Sequence, residues 1–322
     1  MMSSHKIKTL KNRKELPIII LIVFMILFLG SMSDIFFNIY NLDSLQTSIA
    51  PKAIIATGMM LLFITGFFDL SVGSVMGLSG VVTALCLVNG FSVFLSIIFG
   101  LLTGVTFGFI NGFLIGIVGI NHVIATIGTM YVGRGLINVL LEGSARRGVR
   151  GFNENFIQIG AGKTFGIYNM FWIMIIVIVV AQLVITKLDL GRKLYFIGGN
   201  IDAAKLIGIK VKRTKIIVYV LSGLLAALAG ILVTARLEMA SRALGSGLEL
   251  EIIISCLIGG GSIAGGKGTI VGALLGCIFM SLINNSFTLL MISSFWQNIV
   301  IGTLLILVIG IDSYLQIKRE KA

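Results

Sequence analysis

The residues of this sequence that could do covalent chemistry are few, and their spacing argues against most of it. Gly261-Ser262-Ile263-Ala264-Gly265-Gly266-Lys267-Gly268 approaches a phosphate-binding loop. Such a loop needs Gly, four residues, Gly-Lys, and then Ser or Thr to hold magnesium. Gly268 stands where that hydroxyl is required, and the flanks are apolar, not a strand and a soluble helix. The segment therefore reads as a tight interhelical turn whose glycines permit positive φ. The two histidines, His5 and His122, share no ligand spacing with each other or with an acidic cluster. No Gly-x-Ser-x-Gly elbow occurs. Cys86, Cys256 and Cys277 lie in apolar segments without metal-ligand spacing. The expectation is a chain with no catalytic residue, no metal and no cofactor of its own.

Polar residues inside apolar stretches are the remaining candidates, because burying them in lipid is costly. Asp69, Asn111, Asn121, His122, Arg134, Asn138 and Glu249 are the candidates for a solute pathway, with Glu251, Asn284 and Asn285 in the same class. An interhelical hydrogen bond or a span-end position is the plainer reading of each. The group contains no row of acids, which argues against a proton-coupled pump. A neutral, hydroxyl-rich solute would suit so sparsely charged a path.

Composition sets the elements that carry these residues. Of 322 residues, 57% are hydrophobic, 12% are charged and 40 are glycine. A soluble domain cannot hide that much apolar surface. In lipid, backbone polar groups must be satisfied internally, so long apolar runs without alternation read as helices of about 20 residues. We expect an all-α polytopic membrane protein with about ten spans, near residues 16–37, 49–68, 70–89, 91–118, 122–141, 167–186, 214–234, 249–264, 268–291 and 295–314. The first reads as a retained helix, not a signal peptide, because the apolar run is long and the following chain is equally apolar. A basic tail (1–15) and a short tail (316–322) then flank a transmembrane domain over 16–315.

The net charge of +12 does not point to nucleic acid, because the basic residues sit at the ends of apolar segments. Five precede the first span, three follow the last, and eight lie between Lys187 and Lys215. If all three segments are cytoplasmic, both termini lie inside a bacterial inner membrane and the span number is even. The loop over 142–166 would then be external, yet it carries Arg146, Arg147, Arg150 and Lys163. It is either a solvated loop or a docking surface for an acidic partner outside the membrane. Gly100, Gly104, Gly108, Gly112 and Gly116 recur every fourth residue, as do Gly268, Gly272 and Gly276. Each row makes a flat groove on one helix face that a neighbour can approach closely.

The 187–215 segment is the most informative. Asn200 is a good N-cap, Asp202 suits the first turn, Ala203 and Ala204 propagate a helix, and Gly208 can end it. A helix of about two turns with a small-residue face would fit a cleft on another protein.

Gly191-Arg192-Lys193-Leu194-Tyr195-Phe196-Ile197-Gly198-Gly199-Asn200, continuing through Ala203-Ala204 to Gly208-Ile209, resembles the coupling loop of ribose-type sugar permeases. These are membrane subunits of ATP-binding-cassette importers, grouped with branched-chain amino-acid permeases. Asp69-Leu-Ser-Val-Gly73-Ser74, Thr126-Ile-Gly-Thr-Met130 with Gly133-Arg134-Gly135, and Glu249-Leu250 with Ile258-Gly-Gly-Gly-Ser262 and Gly265-Gly-Lys-Gly268 agree with the same family. The likeness covers roughly residues 45–315. It implies a type II-like importer permease fold. It also implies a second permease copy, identical or related, with ATP and magnesium bound on separate cytoplasmic ATPase subunits. An extracytoplasmic binding protein would deliver a monosaccharide. Gly191, Arg192, Gly199, Asn200, Asp202, Ala203, Ala204 and Gly208 would couple to the ATPase. Arg146, Arg147 and Arg150 would suit binding-protein docking on charge grounds. A secondary transporter or channel for a small polar solute is the alternative reading, and a membrane enzyme the third.

Overall fold

The computed structural model describes residues 15–142 and 148–320; Arg146 and Arg147 lie outside them. The chain is all-α apart from one two-stranded hairpin. In order come α1 (Leu16–Met32), α2 (Ile39–Ile64), α3 (Val72–Val88), α4 (Val93–Phe113), α5 (His122–Leu140) and α6 (Glu154–Gly160). A π-helical turn, Leu114–Val118, extends α4. The hairpin strands β1 (Lys163–Thr164) and β2 (Ile167–Tyr168) precede α7 (Asn169–Lys187), α8 (Asp189–Gly199), α9 (Ile201–Leu206) and α10 (Val211–Leu237). The chain ends with α11 (Leu248–Ile258), α12 (Ile270–Leu289) and α13 (Ser294–Glu320).

Among the described residues, seven helices are long and apolar enough to cross a bilayer: α2, α4 with its π turn, α5, α7, α10, α12 and α13. The count of ten spans is corrected accordingly. α1 and α3 have 17 residues each, about 25 Å at 1.5 Å per residue and short of a hydrocarbon core of about 30 Å. The segment expected at 249–264 is helical only over the 11 residues of α11. It stops because Gly259-Gly260-Gly261 follows, with Gly260 at φ 90°. The Asp312 carboxylate then accepts hydrogen bonds from Ser262 Oγ and the Ile263 amide, holding the chain out of helical geometry. The phosphate-loop lookalike is thus the expected interhelical turn, with Gly265, Gly266 and Gly268 also at positive φ.

α10 is the centre of the bundle, packed by α2, α3 and α4. The glycine row of α4 runs antiparallel along it. Gly104 meets Gly223 and Ala227, Gly108 meets Tyr219 and Val220, Gly112 meets Ile216, and Gly116 meets Lys212. A Cβ at Gly108 would lie 2.8 Å from the Val220 Cα, and one at Gly112 2.7 Å from the Ile216 Cα. The close approach therefore depends on glycine. In the second row only Gly272 and Gly276 are helical, against Gly259 and Ser255 of antiparallel α11; Gly268 belongs to the turn.

Two segments of irregular backbone interrupt this bundle, 65–71 between α2 and α3 and 238–247 between α10 and α11. Irregular backbone at membrane depth is tolerated where protein buries it or a cavity is lined by it. Here side chains from other helices supply the missing donors. The Tyr219 hydroxyl donates to the Phe68 carbonyl (3.0 Å) and Arg134 Nη1 to the Leu244 carbonyl (2.8 Å). The first turn of α3, which continues the first segment, packs on the second where Gly73 meets Gly245.

The bundle has two distinct ends. α6 packs on α10 at Leu232–Arg236 through Gly160, and Val149 bridges Ala240. α9 sits at the other end of α10, where Ala204, Ile197 and Val211 form a small buried cluster. The turn 259–269 lies at that second end, touched by Tyr195 Oη at the Gly268 carbonyl (2.7 Å). Glu15 accepts from Thr269 Oγ, and Asp312 holds Ser262, so the start of α1 and the far part of α13 lie there too.

Candidate functional site

The structure brings the candidates Asp69 and Asn111 together. Asp69 is fully buried just before α3, and one carboxylate oxygen accepts from the Ser71 amide (2.7 Å) and the Ser71 hydroxyl (2.6 Å). This is how a short acid ahead of a helix binds the free amides of its first turn. Asn111 of α4 donates to Ser71 Oγ at 2.9 Å and to the Asp69 carboxylate at 3.4 Å. Its own oxygen accepts from Thr129 Oγ1 of α5 at 2.8 Å. The knot ties α3, α4 and α5 with its groups bonded to one another, so its arrangement is that of a structural clasp.

Arg134 and Glu249 form a second group. Both reach the Cβ side of Gly73, where any side chain would collide with Glu249 and with the Gly245 carbonyl. Arg134 Nη2 and Glu249 Oε2 are buried without hydrogen-bond partners among the described residues. Opposite charges thus flank the junction of the two irregular segments. The other candidates stand apart. Asn121 is exposed and caps α5 by accepting from the Val123 amide (2.8 Å). His122 is wedged edge-on between Phe67 and Phe68. Asn138 is exposed on α5.

A third polar group was only half visible in the sequence. Lys52 lies at the middle of α2 and pairs with Glu251 of α11 at 2.5 Å, with both side chains nearly buried. The same Glu251 oxygen accepts from Asn284 of α12 at 2.6 Å. Asn285, beside it, exchanges amide bonds with Asn41 of α2. Lys52 is not among the candidates named from the sequence. Only the true extent of α2, which begins ten residues before the expected 49, puts it mid-helix.

The 187–215 segment holds more structure than the one short helix expected there, because a second helix, α8, precedes α9. Gly191 makes the sharp entry into α8, since a Cβ there would strike the backbone of Ile185. Arg192 is exposed and pairs with Asp189 one turn back. Gly198 lies against the Ile64 carbonyl and the Gly266 amide, whereas Gly199 faces open space. Asn200 caps α9 as expected, accepting from the Asp202 and Ala203 amides, both at 2.9 Å. The Lys205 ammonium, 2.8 Å from Asp202, holds that carboxyl below the usual carboxylate range. Gly208 takes φ 83° and ends the helix region.

The expected small-residue face is corrected. Ala203 is exposed, but Ala204 points inward and is 1% exposed. The outer surface of α9 is apolar and large, with Leu206 89% and Ile207 62% exposed. Ala203, Leu206 and Ile207 stand at i, i+3 and i+4, one helix face. That spacing was legible in the sequence and was missed.

At the opposite end, Arg150 is exposed with its guanidinium at the Met239 sulfur (3.1 Å). The expected external loop holds α6 and the hairpin, pinned by Lys163 to Asp43 of α2 (2.5 Å) and stacked over Tyr168.

Among known proteins, the profile of the family described as branched-chain amino acid transport system / permease component matches residues 41–309. The ribose import permease protein RbsC of Escherichia coli K12 is 37% identical over 298 residues, 92% of each chain. RbsC of Bacillus subtilis 168 is 37% identical over 288 residues, 89% of each. The autoinducer 2 import system permease protein LsrC of Photorhabdus laumondii is 30% identical over 315 residues, 98% of this chain and 94% of that one. No solved structure matches.

Proposed function

The chain belongs to the branched-chain amino acid transport system / permease component family, and from that premise we propose that it is the membrane subunit of an ATP-driven importer for a monosaccharide or a closely related neutral solute. The relatives named for ribose and for autoinducer 2 favour such a solute. As a multi-pass inner-membrane subunit it contributes a path, while separate cytoplasmic subunits bind ATP and magnesium. An extracytoplasmic binding protein delivers the solute, and a second permease copy completes the pathway.

The observation that carries this reading is the α8–α9 unit. It exposes two large apolar side chains to solvent, and it is braced from behind by the end of α2 and the 259–269 turn. Gly198 rests on the end of α2, and Tyr195 bonds the turn joining α11 and α12. Gly266 N–H in that turn donates to the Ile64 carbonyl (2.9 Å), so one push reaches both. In this reading the end bearing α9, Glu15 and Asp312 is cytoplasmic, which places all three basic segments on one side as the positive-inside rule requires. The coupling residues are Gly191, Arg192, Gly199, Asn200, Asp202, Ala203, Ala204 and Gly208, to which Leu206 and Ile207 are added as the docking contacts. Arg150 docks the binding protein, and the same role is assigned to Arg146 and Arg147 on charge grounds.

The test is co-purification. The wild-type chain should bring down a nucleotide-binding partner from its native membrane. Leu206→Asp combined with Ile207→Asp should lose that partner while inserting normally. Retention of the partner by the double variant would contradict the assignment of α9. Charge reversal at Arg150 should weaken binding-protein docking most at low salt, where screening is least.

A further inference from the structure

We propose that the cavity walled by α2, the 243–248 segment, α11, α12 and α13 is a binding station for a neutral polyhydroxylated solute on its way through the bundle. This rests on the importer reading above and deepens it by locating where in this chain the solute is held.

The cavity is about 370 Å³, with Lys52, Glu251, Asn284, Ser48, Gln297 and Asn298 among its walls. At roughly 30 Å³ of liquid volume per water, that is space for about a dozen water molecules. It falls in the small-molecule range of about 300–1,000 Å³. It sits halfway along α2: Lys52 is 13 residues from Ile39 and 12 from Ile64 (52 − 39 and 64 − 52). In secondary transporters solute sites lie at this depth beside interrupted helices, and the same physics applies to any bundle that must hold a polar solute midway. The interruption here is the backbone of Gly245, Ser246 and Gly247, which forms part of the wall.

The chemistry of the lining narrows the ligand. Its charges are one ammonium and one carboxylate, and they neutralise each other at 2.5 Å. An anionic or cationic solute would break that balance in a poorly solvated place, whereas a neutral one keeps it. Polar donors and acceptors remain for it. Asn284, whose amide nitrogen bonds Glu251, forms part of the wall. The amides of Gln297 and Asn298 on α13 and the hydroxyl of Ser48 on α2 face the same space. Met76, Val233 and Ile301 supply an apolar wall. A ring of hydroxyls with a C–H face, the shape of a pentose or hexose, matches polar groups on one side and apolar contacts on the other.

The test reconstitutes the permease in proteoliposomes with its ATPase and binding-protein partners. ATP-driven uptake of a panel of neutral pentoses and hexoses is measured, with the matching sugar acids as charged comparison. Asn284→Ala removes a wall amide, and Asn298→Ala, exposed on α13 and outside the buried pair, guards against a folding defect. Loss of one buried hydrogen bond to the solute is worth about tenfold. Solute moved per ATP hydrolysed should fall about tenfold in Asn284→Ala and severalfold in Asn298→Ala, with hydrolysis retained. Undiminished coupled uptake in both variants would overturn this station and leave the importer reading standing. Preference for the sugar acid would overturn the neutral-solute assignment. A wild-type complex that moves none of the panel with ATP would overturn the importer reading itself.

Discussion

Asn111 uses both ends of its amide inside the bundle, donating to Ser71 and Asp69 and accepting from Thr129. Its removal would leave a buried carboxylate and a buried hydroxyl short of partners. An unsatisfied buried group costs about 1–3 kcal/mol, more if charged. Thr129 keeps acceptors at the Ala125 and Thr126 carbonyls, so its bond to Asn111 is the smaller contribution. Interhelical bonds in membranes average about 0.6 kcal/mol. Asn111→Ala should therefore destabilise the detergent-solubilised protein several times more than Thr129→Val, measured by thermal unfolding; equal losses would contradict the clasp. At this scale the sequence identified the right residue types but not their partners. Asp69 and Asn111 are 42 positions apart and Lys52 and Glu251 are 199 apart, and periodicity carries no information about such pairs. Ala204 was misread because its inward direction depends on Val211, which the turn at Gly208 folds back over it.

The elements were more legible than their contacts, because hydrophobic runs and glycine spacing are local signals. The four-residue glycine row of α4 became a helix seam, as expected. The failures fall where backbone leaves the helix inside an expected span, at 65–68 and 70–71, and where α11 stops early. There the arrest comes from long-range partners such as Tyr219 and Asp312. The seam makes a sharp prediction. Gly108→Leu would force its side chain into the α10 backbone and should abolish the folded protein, read as loss of monodisperse material on size-exclusion chromatography. Gly135→Leu, on α5 with open space around it, should leave that profile unchanged. Disruption of both alike would mean that the α4–α10 seam is not what sets their packing. The α8–α9 unit belongs to this scale as well. Ala204→Arg should unfold it locally, whereas Ala203→Arg, pointing outward, should spare the fold and lose only the partner. Protease susceptibility of the 187–215 region distinguishes the two, and equal cleavage of both variants would contradict the burial of Ala204.

For the whole molecule, the decisive arrangement is that the α8–α9 unit and the segment holding α6 and the hairpin sit at opposite ends of α10, a 27-residue helix of about 40 Å. In the importer reading proposed above, work enters through α9 and leaves as a changed packing of α2, α11 and α12 around the polar cavity. The most direct measurement is solute uptake into proteoliposomes holding this permease, with and without its ATPase partner and with ATP inside or absent. The account predicts uptake only when the ATPase and ATP are both present, and its loss in the Leu206→Asp, Ile207→Asp variant. Uptake by the permease alone, driven by a solute or ion gradient, would contradict it.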